Sequence, residues 1–218
     1  MAAMTPPFRI IETEACIAEG MAHLRRVEPR FAAIEAAVQA AGLEIPLRRR
    51  PDGFAALLSA VVSQQISVAA AAGIWARLEA AGADDPARLL AMEEEALRGC
   101  GLSRPKVRYA RALAAAGIDW DGLRAAPEEA VRAALTAVPG IGAWTAEIYL
   151  MFSLGRADVF APGDLALQES ARAAFGLPER PKPKDFARMA EAWAPWRAVA
   201  ARALWAYYRV LKGREGLG

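Results

Sequence analysis

Apolar residues recur along this chain every three or four positions, in blocks separated by glycine and proline, and that period predicts helices. Residues 12–42 read as two helices parted near Glu28-Pro29, the second, EPRFAAIEAAVQAAG, stopping on a glycine suited to a helix C-terminus. RRRPDG breaks the pattern. Residues 54–81 then form one long, largely apolar helical stretch, interrupted by the polar pair Gln64-Gln65. Shorter helices follow over 86–92 and 93–99. GLSRPKVRYARALAAAG supplies a turn at Ser103-Arg104-Pro105 and a further helix, and APEEAVRAALTAV supplies another. Residues 143–154 are apolar nearly all round, which predicts burial. A helix over 165–175, a proline-rich connector GLPERPKPK and a last helix over 195–211, with Pro195 in its first turn, complete the pattern. Stretches of Val, Ile and Thr with period two are scarce, so the expected fold class is all-α.

The 218 residues are enough to bury a substantial core, as one domain or two small subdomains, and the 55% hydrophobic content is largely alanine. No uninterrupted apolar run reaches the length of a membrane span, and MAAMTPPFRI lacks the charged start and apolar centre of a secretory signal. The expectation is a cytoplasmic protein with no membrane partner. Cys16 and Cys100 are the only cysteines and His23 the only histidine, with no metal-ligand spacing among them. That argues against a disulfide framework, a zinc site and an iron–sulfur cluster, which ordinarily takes four thiolates. A net charge of +2 is too weak to announce nucleic-acid binding. Its distribution says more: Arg98, Arg104, Lys106, Arg108 and Arg111 follow one another with no acidic residue between them. On charge alone this is a solvated helix face; the sharper reading is a phosphate-facing patch.

The stretch VPGIGAWTAE, 138–147, places a proline and two glycines at the start of an apolar helix, where the chain must reverse within a few residues. Gly140 and Gly142 can adopt backbone angles closed to other residues and let another molecule approach the main chain. The N–H groups at the following helix start lack intrahelical acceptors and the helix dipole draws anions, so a phosphate is the natural guest. Alone, such a turn is most simply structural. Its spacing to DVFAPGD, which ends on Asp164, changes the balance.

Together these two stretches resemble the helix-hairpin-helix, Gly/Pro-rich loop and aspartate of a superfamily of base-excision DNA glycosylases. VVSQQIS at 61–67, GLSRPK at 101–106 and WAPWRAVAARALW at 193–205 narrow the resemblance to the DNA-3-methyladenine glycosylase II branch, over roughly 32–212. The resemblance implies two helical subdomains flanking a cleft: about 54–160, with the hairpin at 138–143, and about 1–53 together with 161–218. It looks like a minimal form, since the residues before Phe54 leave no room for the β-rich domain of some bacterial relatives. The implied partner is double-stranded DNA containing alkylated bases, bound by a monomer without a cofactor. Members that also cut the backbone carry a lysine just after the second hairpin glycine; here Ala143 and Trp144 stand there, so no lyase activity is expected.

Breaking a base-to-deoxyribose bond builds positive charge on the sugar, and an ionised carboxylate beside it stabilises that charge and orients or deprotonates the attacking water. Asp164 is the candidate. Local sequence ranks it first as an N-cap of the helix that follows, the family motif ranks it first as catalytic, and the two roles are compatible. Asp158, Glu147 and Glu169 are the alternatives. Alkylated purines carry positive charge and leave without much help from a general acid, and an aromatic pocket favours them by about 0.5–2 kcal/mol through cation–π attraction. Along the last helix, Trp196, Val199, Ala203, Tyr207 and Val210 form one stripe, with Ala201, Trp205 and Tyr208 on another. Core packing is the usual meaning of such stripes; by resemblance, Trp144 and Trp205 line the base pocket. Ile148 stands where some relatives have a stacking tyrosine, with Tyr149 as a candidate substitute.

The target base must leave the stack, at a cost of a few kcal/mol. Gln64 and Gln65 either bond neighbouring backbone across a bend or, by resemblance, Gln65 fills the gap left by the everted nucleotide. Pro139, Gly140, Ile141 and Gly142 would grip phosphate, helped by Arg104 and Lys106. In that family hairpin carbonyls also hold a monovalent cation, here those of Gly140 and Gly142. Phosphate contacts of this kind position DNA without reading its sequence. The preferred lesion stays open among 3-methyladenine, 7-methylguanine, hypoxanthine and 1-methyladenine, and a non-enzymatic helix-hairpin-helix protein binding distorted DNA is the second reading.

Overall fold

Side-chain caps from Ser67, Asp85, Asp119 and Asp164 start four of the helices. The computed structural model describes residues 8–215, apart from the side chains of residues 68, 214 and 215, so the reading of MAAMTPP as free of a targeting signal lies outside the described residues. In chain order the helices are α1 (Glu14–Val27), α2 (Arg30–Ala40), α3 (Phe54–Ser63), α4 (Val68–Ala80), α5 (Pro86–Ala91), α6 (Glu94–Gly99), α7 (Arg104–Ala115), α8 (Trp120–Ala125), α9 (Glu128–Thr136) and α10 (Ala143–Ile148). A π-helical turn (Tyr149–Ser153) follows directly, then α11 (Leu165–Ala174), α12 (Pro183–Ala190), a 3-10 turn (Glu191–Trp193) and α13 (Arg197–Glu215). Among the described residues the one strand-like pairing is an isolated antiparallel bridge between Ile10 and Arg156, so the fold is all-α.

Three departures from the hydrophobic pattern have local causes. The predicted helix over 54–81 is two helices, because Gln65 takes a left-handed conformation (φ 58°) and the Ser67 hydroxyl accepts the Ala70 N–H at 3.2 Å, starting α4 afresh. Two short helices, α8 and α12, were not evident in the pattern; α8 starts where the Asp119 carboxylate accepts the Gly122 N–H at 2.9 Å, and α12 where Pro183 occupies the first turn. The last helix begins at Arg197 rather than Pro195, since the Trp196 N–H turns back to the Trp193 carbonyl (2.9 Å) and the Ala198 N–H bonds the Ala157 carbonyl (2.9 Å).

The chain forms two compact units, Met1–Arg49 with Leu150–Gly218, and Arg50–Tyr149. In the first, Trp193 is 1% exposed and is surrounded by the rings of Phe31, Phe160, Phe175 and Phe186 at centroid separations of 5.3, 5.5, 5.7 and 6.1 Å. Truncating a ring in such a cluster costs about 3–5 kcal/mol. α13 packs on α1, α2 and α11, with Val199 against Gly20 of α1 and Ala206 and Val210 clustered with Val38 of α2, and the Ser170 hydroxyl donates to the Leu204 carbonyl at 2.8 Å, tying α11 to α13. In the second unit Leu57, Leu58 and Val61 of α3 are buried, as are Leu78 of α4, Leu89 of α5, Val107 and Leu113 of α7 and Leu135 of α9. Among the described residues no helix is long and apolar enough to cross a membrane.

Candidate active site

In the second unit, α9 and α10 are joined by a turn in which the Val138 N–H bonds Leu135 and the Ile141 N–H bonds Val138, both at 3.1 Å. Gly140 sits at φ 89°, and a Cβ there would lie 2.3 Å from Cγ of Tyr109, so conformation and packing both demand glycine. Gly142 is different. Its φ is −90° and a Cβ would meet nothing within 4 Å, so its bareness leaves open space at the start of α10. Pro139 and Gly142 are exposed, whereas Ile141 is 5% exposed. Ile141 therefore anchors the turn in the core with its amide spent on Val138, which corrects its reading as a phosphate-gripping residue.

The loop between α3 and α4 is built against this hairpin. The Gln64 amide donates from Nε2 to the Gly140 carbonyl at 3.2 Å and to the Thr145 hydroxyl at 3.3 Å. The Lys106 ammonium donates to the carbonyls of Val62 (2.6 Å) and Gln64 (2.8 Å), and its burial lowers its pKa. Two of its three donors thus close the end of α3, so Lys106 holds this loop, while Arg104 is exposed at the start of α7. Gln64 takes the backbone-bonding role and Gln65 projects, exposed, from the tip. Ile66 beside it is 38% exposed, a large apolar side chain that the sequence reading passed over. Thr145 and Tyr109 were also missed, since their roles exist only once Gln64 and Gly140 are brought to them.

For a hairpin cation the fit is limited. The Gly140 carbonyl already accepts the Gln64 amide and the Gly142 carbonyl accepts the Ala146 N–H at 3.1 Å, so each would offer only a second lone pair. No group of three or more His, Cys, Asp and Glu side chains suited to a metal occurs among the described residues.

In the first unit, Asp164 caps α11: its Oδ1 accepts the Leu167 N–H at 2.9 Å and the Trp205 indole N–H at 3.2 Å. The loop before it is fixed by the Gln168 amide, which donates to the Pro162 carbonyl at 2.8 Å. Both N–H donors fall on Oδ1, so the carboxylate is oriented without using Oδ2 in these two bonds. Trp205 is half-buried on α13, and its ring lies 5.6 Å from that of Phe152. Leu165, next to Asp164, is 64% exposed.

The alternative carboxylates are otherwise engaged. Asp158 is held by both arms of Arg197 at 2.7 and 2.9 Å, and Glu169 pairs with Arg172, which lowers its pKa. Glu147 lies in the second unit, where burial pushes its pKa up to about 7 against the opposing pull of Arg132. Of the predicted pocket residues, Trp144 is 44% exposed and Ile148 half-buried. Tyr149 is corrected: it is 3% exposed, its hydroxyl accepts the Gly53 N–H at 2.8 Å, its ring packs on Trp120, and burial drives its pKa up to about 12. It is a core residue of the second unit and offers no stacking face.

Residues 58–195 match the HhH-GPD superfamily of base excision DNA repair proteins. The chain is 34% identical over 167 residues to DNA-3-methyladenine glycosylase 1 of Schizosaccharomyces pombe, covering 72% of each chain. Its fold resembles that of a Bacillus halodurans DNA-3-methyladenine glycosidase, with TM-score 0.77, 30% identity and 94% of each chain covered. It also resembles the S. pombe 3-methyladenine DNA glycosylase solved with abasic DNA, with TM-score 0.74, 28% identity, and coverage of 86% of this chain and 95% of that one.

Proposed function

The chain belongs to the HhH-GPD superfamily of base excision DNA repair proteins, and we propose that it is a DNA glycosylase whose single catalytic carboxylate is Asp164. It hydrolyses the N-glycosidic bond of alkylated bases in duplex DNA, a reading supported by relatives named DNA-3-methyladenine glycosylases. The observation that carries the assignment of Asp164 is its double engagement through Oδ1 by the Leu167 and Trp205 N–H groups. These donors complement a negative carboxylate and fix its direction.

Bond cleavage leaves an oxocarbenium-like sugar, and the Asp164 carboxylate stabilises that charge and directs water to the anomeric carbon. A base already cationic through alkylation departs as a neutral molecule, so one carboxylate suffices. The Trp205 ring, tied by its indole N–H to Asp164, suits a cationic base by cation–π attraction, and the exposed indole of Trp144 in the second unit is a surface of the same kind. At the loop tip, Gln65 and the apolar Ile66 are the side chains available to fill the gap in the stack, and Gln64 and Lys106 brace them. At the hairpin, the exposed Pro139 and the open space beside Gly142 at the start of α10 make the phosphate contact, with Arg104 as an exposed cation nearby in sequence to Lys106.

The test is release of free base from a methylated duplex, separated by chromatography. Wild-type protein is expected to liberate 3-methyladenine-type bases. Lesion-enhanced binding with no free base from any alkylated substrate would replace this reading with that of a damaged-DNA binding protein.

A further inference from the structure

Arg98, Arg104, Lys106, Arg108 and Arg111 run together with no acidic residue among them, and the side chains divide by what they touch. Lys106 donates to the carbonyls of Val62 and Gln64, and Arg111 donates to the Met92 carbonyl. Those two charges hold α7 against its neighbours. Arg104 and Arg108 are exposed, and neither makes a hydrogen bond or ion pair with a described residue. Other exposed arginines are matched by carboxylates: Arg25 by Glu35, Arg30 by Glu28, Arg124 by Asp52. Four residues apart on a helix, Arg104 and Arg108 sit on one side of α7 about 6 Å apart along its axis. Like charges at that spacing work against a helix, and an anion lying across both would offset the repulsion.

This side of α7 adjoins the hairpin within the second unit. Tyr109, next to Arg108, packs its ring at Gly140, where a Cβ would lie 2.3 Å from Cγ. One turn beyond Arg108, Ala112 and then Ala115 line an open hollow of ≈ 680 Å³ together with Val138 and Pro139. Positions 104, 108, 112 and 115 share one stripe, so the face that carries the arginines continues as a wall beside the hairpin turn. Asp119 also lines the hollow, its Oδ1 accepting the Gly122 N–H. Its charge disfavours a phosphate there, which leaves the arginine end of the stripe as the place for one. Tyr109 at Gly140 and Lys106 at the end of α3 fix α7 to both the hairpin and the loop tip, so the two guanidinium groups are carried on a braced element.

We propose that Arg104 and Arg108 bind successive phosphates of the DNA strand that passes the hairpin, extending its grip along α7, while Lys106 and Arg111 touch no DNA. The proposal rests on the reading of the protein as one that acts on duplex DNA. Arginine forks match phosphate oxygens, and contacts of this kind hold the strand in place without reading its bases.

The test measures affinity for a duplex carrying a non-cleavable abasic analogue, by fluorescence anisotropy across a KCl series. Wild type is compared with Arg108→Ala, Arg108→Lys, the double variant Arg104→Ala with Arg108→Ala, and Arg98→Ala, with thermal melts to show that each is folded. Arg98 is also exposed but lies on α6 with Glu94 and Glu95, so it controls for net charge alone. Arg108→Ala is expected to weaken binding roughly tenfold. The slope of log Kd against log salt should fall by about 0.9 in that variant and by about 1.8 in the double variant. Arg108→Lys should keep the slope, and Arg98→Ala should change neither slope nor affinity. A scan of single methylphosphonates around the analogue should find one position that weakens wild type and leaves Arg108→Ala unaffected. An unchanged slope in Arg108→Ala, an equal loss in Arg98→Ala, or no position masked by Arg108→Ala overturns the proposal. Base release is read separately in the methylated-duplex assay: wild type that binds DNA through these arginines yet frees no base removes the glycosylase reading and leaves this one, and base release with an unchanged slope in Arg108→Ala does the reverse.

Discussion

Asp164→Asn separates the two jobs of this residue. Asn keeps an oxygen at the position that accepts the Leu167 and Trp205 N–H groups and is as good an N-cap as Asp, so helix α11 and the Trp205 contact survive. Only the charge is lost. A unit negative charge about 4 Å from a developing unit positive charge, at an effective dielectric of about 20, contributes ~4 kcal/mol, or about 10³ in rate. The assay is single-turnover release of base from methylated duplex at saturating enzyme, run beside a thermal melt and binding to abasic-analogue DNA. The expected result is a loss of two to three orders of magnitude with melting and DNA affinity near wild type. Asp164→Ala should lose as much activity and in addition about 1 kcal/mol of stability, because the cap goes with the charge. If the Asn variant cleaves within a few fold of wild type, the charge of Asp164 is not what stabilises the sugar cation and the residue is a helix cap only.

Gly140→Ala should destabilise the second unit by ~2 kcal/mol or more, since φ is positive and the methyl overlaps the Tyr109 ring, whereas Gly142→Ala should melt within about 1 kcal/mol of wild type yet bind abasic-analogue DNA more weakly. Thermal melts with anisotropy on both variants check this. Lys106→Met removes two donors from carbonyls at the end of α3 and should cost about 1–3 kcal/mol by urea melt. Its base release should fall more on a stably paired lesion than on the same lesion in single-stranded DNA. Glu147 has a folded pKa of about 7 against an ordinary value of 4.5, so its protonated form is favoured in the folded chain. The stability it contributes is complete below about 4.5 and lost as pH rises through about 7. Glu147→Gln should therefore gain ~1–2 kcal/mol over wild type at pH 8, its partial exposure holding the figure down, and gain little at pH 4; urea melts at both pH values decide it.

Legibility followed the range of the interactions responsible. Asp164 stood out because a cap is local chemistry: Pro-Gly-Asp followed by an amphipathic helix announces itself within a few residues, and the donor on Leu167 lies three positions away. The all-α class was legible for the same reason, since a 3.6-residue period is written along each helix. The break at 64–67 was legible only as one of two readings of the polar pair, a bend, because glutamine carries no turn signal; beside the left-handed Gln65, Gln64 is held by Lys106 and by contacts to Gly140 and Thr145, all distant in sequence. Helix α8 has six residues with a glycine inside it, and α12 has eight and starts on the last proline of a proline-rich connector, so neither gives a window long enough for periodicity. Tyr149 went astray because the side of the helix it occupies depends on a Gly53 N–H that nothing near Tyr149 reveals.

The residue types follow the same division. Gln64, Lys106, Tyr109 and Thr145 carry little meaning singly, yet their bonds and packing fix the hairpin and the loop tip within one unit. If the tip must push against stacked bases, its stiffness matters more than the identity of any one tip residue. Variants of these braces should then lose eversion of paired lesions even where Gln65 and Ile66 are untouched, and a wedge assigned from tip residues alone would miss what lets it work.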